Sequence, residues 1–174
     1  WLRKAMAAAA SETYTSVSAP IQHAAIAAFE GGPEMELYLA RSRAVLETLA
    51  DFVTARLTEA GARVNPIKGG FYAFPDFEPL RGRLAERGVA TSPALCEALL
   101  EDAGVAALPG TAFGRPASEL SLRLAFVDFD GQAALDALAA GETLDLAFLR
   151  RHCSRVVEGI EAMARWAEGS ARAS

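Results

Sequence analysis

The stretch Leu120-Ser121-Leu122-Arg123-Leu124-Ala125-Phe126-Val127 alternates large apolar residues with small or polar ones. In an extended strand, successive side chains point to opposite faces of the sheet. We therefore predict a strand with one apolar face and a second face that carries Arg123. A guanidinium in such a place needs a carboxylate or a phosphate, because burying an unpaired charge is costly. The strand alone favours a structural ion pair or an exposed face for Arg123, and it leaves a ligand-binding role open.

Short aromatic and β-branched segments elsewhere in the chain predict further strands. Residues 63–67 and 70–75 flank a bend at residues 68–70, and residues 105–108 lead into a glycine-bounded loop at residues 109–116. Proline and glycine at the ends of such segments are typical of strand boundaries. We expect these segments to form a short, mostly antiparallel sheet.

Helical patterns surround these strands. The clearest begins at Pro33 and ends at Gly61, with apolar residues at three- and four-residue intervals from Tyr38 to Leu57. That spacing is typical of an amphipathic helix. The other predicted helices are residues 1–12, 21–29, 94–103, 130–140 and 145–168, and residues 77–88 are predicted as a short helix or a turn. The sequence therefore predicts an α+β module on a long helix, in which the sheet packs on helices.

The composition argues against several classes of protein. The 174 residues carry 17 basic and 22 acidic side chains, a formal charge of -5, so the chain lacks the basic field that favours nucleic acid. No apolar run approaches the ~20 residues that cross a bilayer, so we expect neither a nucleic acid nor a membrane as partner. Cys96 and Cys153 are too few for a disulfide framework and lack metal-ligand spacing. We therefore predict no metal site and a cytoplasmic location.

Three local patterns resemble functional motifs but lack residues or geometry that those motifs need. Residues 110–114 are bounded by glycine but lack the lysine and the serine or threonine of a phosphate-binding loop. Residues 128–131 lack the later glutamate of a calcium loop. His152 and Cys153 are neighbours on a predicted helix and project about 100° apart, which argues against a catalytic pair.

Three segments in series resemble the carboxyl-terminal half of class I/II aminotransferases. They are residues 66–77, residues 99–114 and residues 122–126. The stretch Tyr14-Thr15-Ser16, with Gln22 and Ala24-Ala25, is similar to the helix entry that precedes the long interdomain helix of that family. These aminotransferases are pyridoxal-phosphate enzymes of fold type I, the aspartate-aminotransferase-like group. The resemblance implies an α/β fold of that type, here mainly its carboxyl-terminal α+β small domain.

The resemblance also implies roles for particular residues. In the family, the arginine that corresponds to Arg123 forms a bidentate pair with the α-carboxylate of the substrate, and a planar guanidinium suits that recognition. Gly110, Phe113 and the backbone at Gly70 are expected to lie near the substrate.

One family motif is missing. The lysine that forms the Schiff base with the cofactor stands in a Ser/Lys motif, and neither Lys4 nor Lys68 matches it. We therefore expect no catalytic residue in this chain, leave its cofactor-binding residues unassigned and expect the chain alone to be inactive. Since the chain opens on Trp1 inside a helical pattern, we expect it to be the carboxyl-terminal part of a longer protein. Residues 1–33 would then be the last helices of the large cofactor-binding domain, and residues 34–174 the long interdomain helix with the small domain.

The activity that the resemblance implies is transfer of an amino group between an α-amino acid and a 2-oxo acid. Pyridoxal 5'-phosphate is the cofactor and a homodimer is the assembly that it implies. Two alternatives remain open. One is another enzyme of the same fold type, such as a carbon-sulfur lyase or a decarboxylating synthase, because a fold does not fix a reaction. The other is an aminotransferase-like ligand-sensing domain of a transcriptional regulator.

Overall fold

A computed structural model describes residues 1–14 and 16–169 of the chain. The chain divides into two compact units, Trp1–Leu39 and Ala40–Ser174. Thr15, which belongs to the segment similar to the family's helix entry, lies outside the described residues, as do residues 170–174. No helix of the described part is both long enough and apolar enough to cross a bilayer.

The first unit is helical, and none of its described side chains is buried. It contains α1 (Leu2–Thr13), α2 (Ala19–Glu30) and the start of α3 (Pro33–Glu59). Helix α2 is predicted at residues 21–29 and extends slightly further at both ends, with a proline in its first turn and a glycine with φ of 73° after its last residue. The large apolar side chains that this unit exposes are Trp1, Leu2, Met6, Tyr14, Val17, Ile21, Ile26, Phe29, Leu37 and Tyr38.

The apolar stripe of α3 is covered only in the second unit. Val45, Leu49, Val53 and Leu57 are almost fully buried there, as the spacing predicts. Tyr38, which the same spacing placed on the stripe, is 54% exposed. Its exposure follows from its place in the first unit, where no described residue has a core to pack against.

A three-stranded sheet lies at the centre of the second unit. It consists of β1 (Tyr72–Ala73), β2 (Leu108–Pro109) and β3 (Leu122–Ala125). Their order is β1-β3-β2, and both pairings are antiparallel. The predicted apolar face of the central strand is confirmed, because all four of its large side chains are at most 5% exposed: Leu120, Leu122, Leu124 and Phe126.

All four predicted strands are longer than the observed ones. Residues 70–75 give only Tyr72–Ala73 and residues 120–127 only Leu122–Ala125, and the other two predicted strands fail almost entirely. Residues 63–67 form a single bridge, in which Arg63 and Asp76 exchange backbone hydrogen bonds of 2.8 and 2.9 Å. Pro66 offers no N–H to continue the ladder. Residues 105–108 are also not a strand, because the N–H of Val105 completes the end of the preceding helix by bonding to the carbonyl of Leu99. The strand starts only at Leu108.

Helices and 3-10 turns form the rest of the second unit. In chain order they are a 3-10 turn (Glu78–Leu80), α4 (Arg81–Glu86), α5 (Ser92–Ala103), a 3-10 turn (Gly110–Phe113), α6 (Gly131–Ala139), α7 (Leu146–His152) and α8 (Ser154–Glu168). The side chain of Thr91 caps α5 by accepting a hydrogen bond from the N–H of Ala94. Gly104 ends that helix in the left-handed conformation, as predicted.

The single helix predicted for residues 145–168 is wrong. The chain breaks at Cys153, whose φ of -130° and ψ of 32° lie outside the helical region. Phe148 and Cys153 are fully buried on one side of the break, and Ile160 is buried on the other. We attribute the break to packing: the bend at Cys153 lets both shorter helices bury their apolar faces. No glycine or proline marks the position in the sequence.

Both cysteines are free, and we expect both to react slowly. Burial raises the pKa of the Cys96 thiol and that of the Cys153 thiol from 9.0 to about 11. At pH 8, a thiol-specific reagent should therefore label the folded chain much more slowly than the chain in guanidinium chloride. The stabilisation from these protonated thiols is present below pH 9 and is lost as the pH rises toward 11. Equal labelling rates for the folded and unfolded chain would contradict this account.

Candidate functional site

Arg123 lies on the central strand, on the face opposite the core, and is half-buried. Its guanidinium carbon lies 4.3 Å above the centroid of the Tyr72 ring and 4.5 Å above that of the Phe113 ring. Tyr72 comes from β1, which pairs with β3, and Phe113 comes from the 3-10 turn that follows β2. Cation–π contact at these distances is attractive. Elements on both sides of the central strand thus hold the guanidinium of Arg123.

The guanidinium of Arg123 has no ion pair within the part of the chain that the structure describes. The structural ion pair that the strand alone favoured is therefore not found there. A guanidinium carries five N–H donors and no acceptor. Half-buried between two rings, these donors are available to an anion, and a planar carboxylate can accept two of them at once.

A cleft of about 610 Å³ lies near the Arg123 site. It differs from that site because its two arginines already form ion pairs with carboxylates. Arg63 donates to Asp76 at 3.1 Å, and Arg115 donates to Glu119 at 2.8 Å. The residues that line the cleft are Arg63, Asn65, Phe74, Asp76, Arg115, Glu119 and Ser121. In the cleft a carboxylate ligand would compete with Asp76 and Glu119 for these arginines, whereas at Arg123 it competes with no carboxylate among the described residues.

The three other residues expected near the substrate occupy different places. Phe113 contacts Arg123 directly. Gly110 is buried beside Ser121, to whose carbonyl its N–H donates at 2.9 Å. Gly70 is exposed in the bend before β1, with a φ of 70° that favours glycine. The structure thus brings Phe113 to the guanidinium, whereas Gly110 bonds to Ser121 and Gly70 lies in the exposed bend.

Tyr72 is the residue of this site that sequence reasoning missed. Its position opposite Ala125 in the register shows why it reaches Arg123 across the strand pair. The alternation of side chains along residues 70–75 predicts on which face of the strand Tyr72 lies. It does not predict that β1 pairs with β3, which the folded structure shows.

Gly110 is required where it stands because of a close approach between strands. A Cβ at this position would overlap the Oγ of Ser121, lie 3.1 Å from the carbonyl oxygen of Ser121 and lie 3.3 Å from the Cβ of Arg115. The Ser121 hydroxyl is buried without a hydrogen-bond partner among the described residues. The room that glycine leaves is therefore filled by this hydroxyl.

We expect Gly110→Ala to lower the free energy of unfolding by about 1–3 kcal/mol, because it forces an overlap in a packed region. Ser121→Ala removes an unpartnered buried hydroxyl and should be nearly neutral or stabilising. The double variant should recover part of the loss, which denaturant unfolding of all four proteins measures as a coupling energy. Strictly additive effects would show that the Ser121 hydroxyl is not what excludes a side chain at position 110.

The described residues place neither lysine of the chain in a pocket that could hold pyridoxal phosphate. The two lysines, Lys4 on α1 and Lys68 in the bend before β1, are both exposed. That neither of them is the cofactor-linked lysine stays a prediction.

The profile of the family described as "Aminotransferase class I and II" matches residues 1–134. This is more than half of the chain, so the chain belongs to the class I and II aminotransferases. The chain is similar to alanine aminotransferase 1 of Rattus norvegicus, with 34% identity over 101 residues, which cover 53% of this chain and 20% of that protein. It is also similar to the aspartate/prephenate aminotransferase of Cereibacter sphaeroides, with 33% identity over 116 residues, which cover 65% of this chain and 28% of that protein.

A solved structure gives the same result for the fold. The aspartate aminotransferase of Thermotoga maritima superposes with a TM-score of 0.51 and 22% identity, over 90% of this chain and 30% of that one. The predicted aspartate-aminotransferase-like fold is thereby confirmed. The chain spans about a fifth of the length of the first curated relatives that it matches.

Proposed function

We propose that this chain is the part of a pyridoxal-phosphate-dependent aminotransferase that binds the α-carboxylate of an amino acid. The observation that carries the proposal is the guanidinium of Arg123, which two aromatic rings hold and no carboxylate occupies within the described residues. Aminotransferase relatives named for alanine, aspartate and prephenate support amino-group transfer to a 2-oxo acid as the reaction.

In this proposal, Arg123 binds and orients the substrate. Two parallel N–H donors of Arg123 receive the two carboxylate oxygens, which fixes both the position and the rotation of the amino acid. The rings of Tyr72 and Phe113 cover part of the guanidinium, which weakens competition from water. When bound to the enzyme, pyridoxal phosphate supplies the electron sink for the reaction at the α-carbon.

The same proposal extends to the organisation of the protein. Residues 1–33 would be the last helices of the cofactor-binding domain, and residues 34–174 the long helix with the small domain. The exposed apolar side chains of α1 and α2 support burial against further protein, and we propose a homodimer. The two free cysteines are compatible with a cytoplasmic location.

The reaction is tested by mixing the holoenzyme that contains this chain with a 15N-labelled α-amino acid and an unlabelled 2-oxo acid. We expect the label to appear on the amino acid formed from the 2-oxo acid. Alanine and aspartate are the first donors to try. Consumption of the donor without transfer of its nitrogen would contradict the proposal and would favour a lyase.

The absence of a cofactor-linked lysine from this chain has its own test. The 174-residue chain is mixed with pyridoxal phosphate at equal concentration, reduced with borohydride and digested. We expect no labelled peptide in good yield. Stoichiometric labelling of Lys4 or Lys68 would contradict this part of the proposal.

A further inference from the structure

Two rings make cation–π contacts with the guanidinium of Arg123. Tyr72 and Phe113 both present a ring face, at 4.3 and 4.5 Å from the guanidinium carbon. Both rings are partly exposed, at 45% and 39%. An arginine side chain without such contacts would sample many rotamers, and a ligand would have to select one of them at an entropic cost.

We propose that Tyr72 is a positioning residue, which holds the guanidinium of Arg123 so that its N–H donors are already oriented for a planar carboxylate. The proposal rests on the carboxylate-binding role proposed for Arg123. Tyr72 suits this task because its strand is hydrogen-bonded to the strand of Arg123, with Tyr72 directly opposite Ala125. The ring and the guanidinium therefore belong to one sheet, and elements of regular structure hold a site more accurately than loops do.

Neighbouring rings limit the movement of both aromatic side chains. Tyr72 packs on Phe71 with ring centroids 4.5 Å apart, and Phe113 packs edge-on against Phe74 at 5.8 Å. Aromatic pairs at such distances are stabilising. One ring of each of these two pairs thus contacts the guanidinium of Arg123.

The ring of Tyr72, and not its hydroxyl, carries the inferred role. Across the described residues the hydroxyl makes no hydrogen bond, whereas the ring face contacts the guanidinium of Arg123. Tyr72→Phe keeps the ring and removes the hydroxyl, and Tyr72→Leu keeps apolar bulk and removes the ring. These two variants form a matched pair.

The test measures steady-state kinetics of both variants and of Arg123→Ala in the holoenzyme, with an α-amino acid and with the amine that lacks its carboxylate. For Tyr72→Leu we expect KM for the amino acid to rise about three- to tenfold. We expect kcat to stay within about twofold, and the amine to be unaffected. Tyr72→Phe keeps the ring, so its KM should lie much closer to that of the unmodified enzyme than to that of Tyr72→Leu. An unchanged KM in Tyr72→Leu, or an equal rise in both variants, would overturn the inference.

A spectroscopic measurement separates positioning from a loss of folding. The ring current of Tyr72 should change the NMR chemical shift of the Arg123 Nε–H proton. This change in chemical shift should be smaller in Tyr72→Leu and should remain in Tyr72→Phe. Melting temperatures of the two variants should agree. If Arg123→Ala lowers the rates for amine and amino acid equally, the proposed function fails and the inference fails with it. If Arg123→Ala affects the amino acid selectively while Tyr72→Leu changes nothing, only the inference fails.

Discussion

In the holoenzyme that contains this chain, Arg123→Ala is expected to reduce kcat/KM for α-amino acids by a factor between about thirty and several thousand. The variant leaves the substrate carboxylate without its charged donors in a partly dry site, and breaking such a pair costs on the order of 2–5 kcal/mol. Each ~1.4 kcal/mol is worth a factor of ten. The amine that lacks the carboxylate should lose far less, because it never made the interaction.

Arg123→Lys provides the control for charge alone. Lysine keeps the positive charge and loses the planar pair of donors. Its rate for amino acids should therefore lie between those of the unmodified enzyme and Arg123→Ala. Parallel losses for amine and amino acid, accompanied by a lower melting temperature, would assign Arg123 to stability instead of substrate binding.

Trp166→Ala is expected to destabilise the chain by about 3–5 kcal/mol, the usual cost of truncating a large buried aromatic side chain. Trp166 lies on α8 and is 6% exposed. Its indole N–H donates to Asp102 of α5 at 2.9 Å, and the guanidinium of Arg87 lies 4.1 Å from the indole centroid. The loss therefore combines packing with polar contacts between separate elements. Denaturant unfolding, followed by circular dichroism, measures it.

The chain offers a matched control for this variant. Trp1 is 95% exposed, so Trp1→Ala should change the free energy of unfolding by less than about 0.5 kcal/mol. Trp166→Phe should fall between the two, because it keeps most of the apolar packing and loses the indole donor. Equal costs for Trp1→Ala and Trp166→Ala would contradict the assignment of Trp166 to the core.

The sequence predicted those features that depend on local pattern. Alternation from Leu120 to Phe126 set both faces of the central strand, and glycine marked the end of α5 at Gly104 correctly. Features that depend on tertiary packing were missed. The helix break at Cys153 has no marker in the local sequence, because it arises from the burial of side chains on both sides of it. The strand expected at residues 105–108 begins only at Leu108, because the N–H of Val105 bonds to the end of α5.

The candidate site divides in the same way. Arg123 is proposed from its charge on an otherwise small-residue face and from the family resemblance, and its lack of an ion pair among the described residues is compatible with a ligand-binding role. Tyr72 could not be assigned from the sequence, because its contact with Arg123 requires the pairing of β1 with β3. Strand pairing joins residues distant in sequence, and no local pattern gives it.

The central claim is that Arg123 binds the carboxylate of the substrate, and a crystal structure of the holoenzyme with a bound substrate-like carboxylate tests it most directly. The account predicts both carboxylate oxygens within hydrogen-bond distance of two guanidinium nitrogens of Arg123, with the rings of Tyr72 and Phe113 against the guanidinium. A carboxylate held by other residues, with Arg123 turned away from it, would contradict the claim.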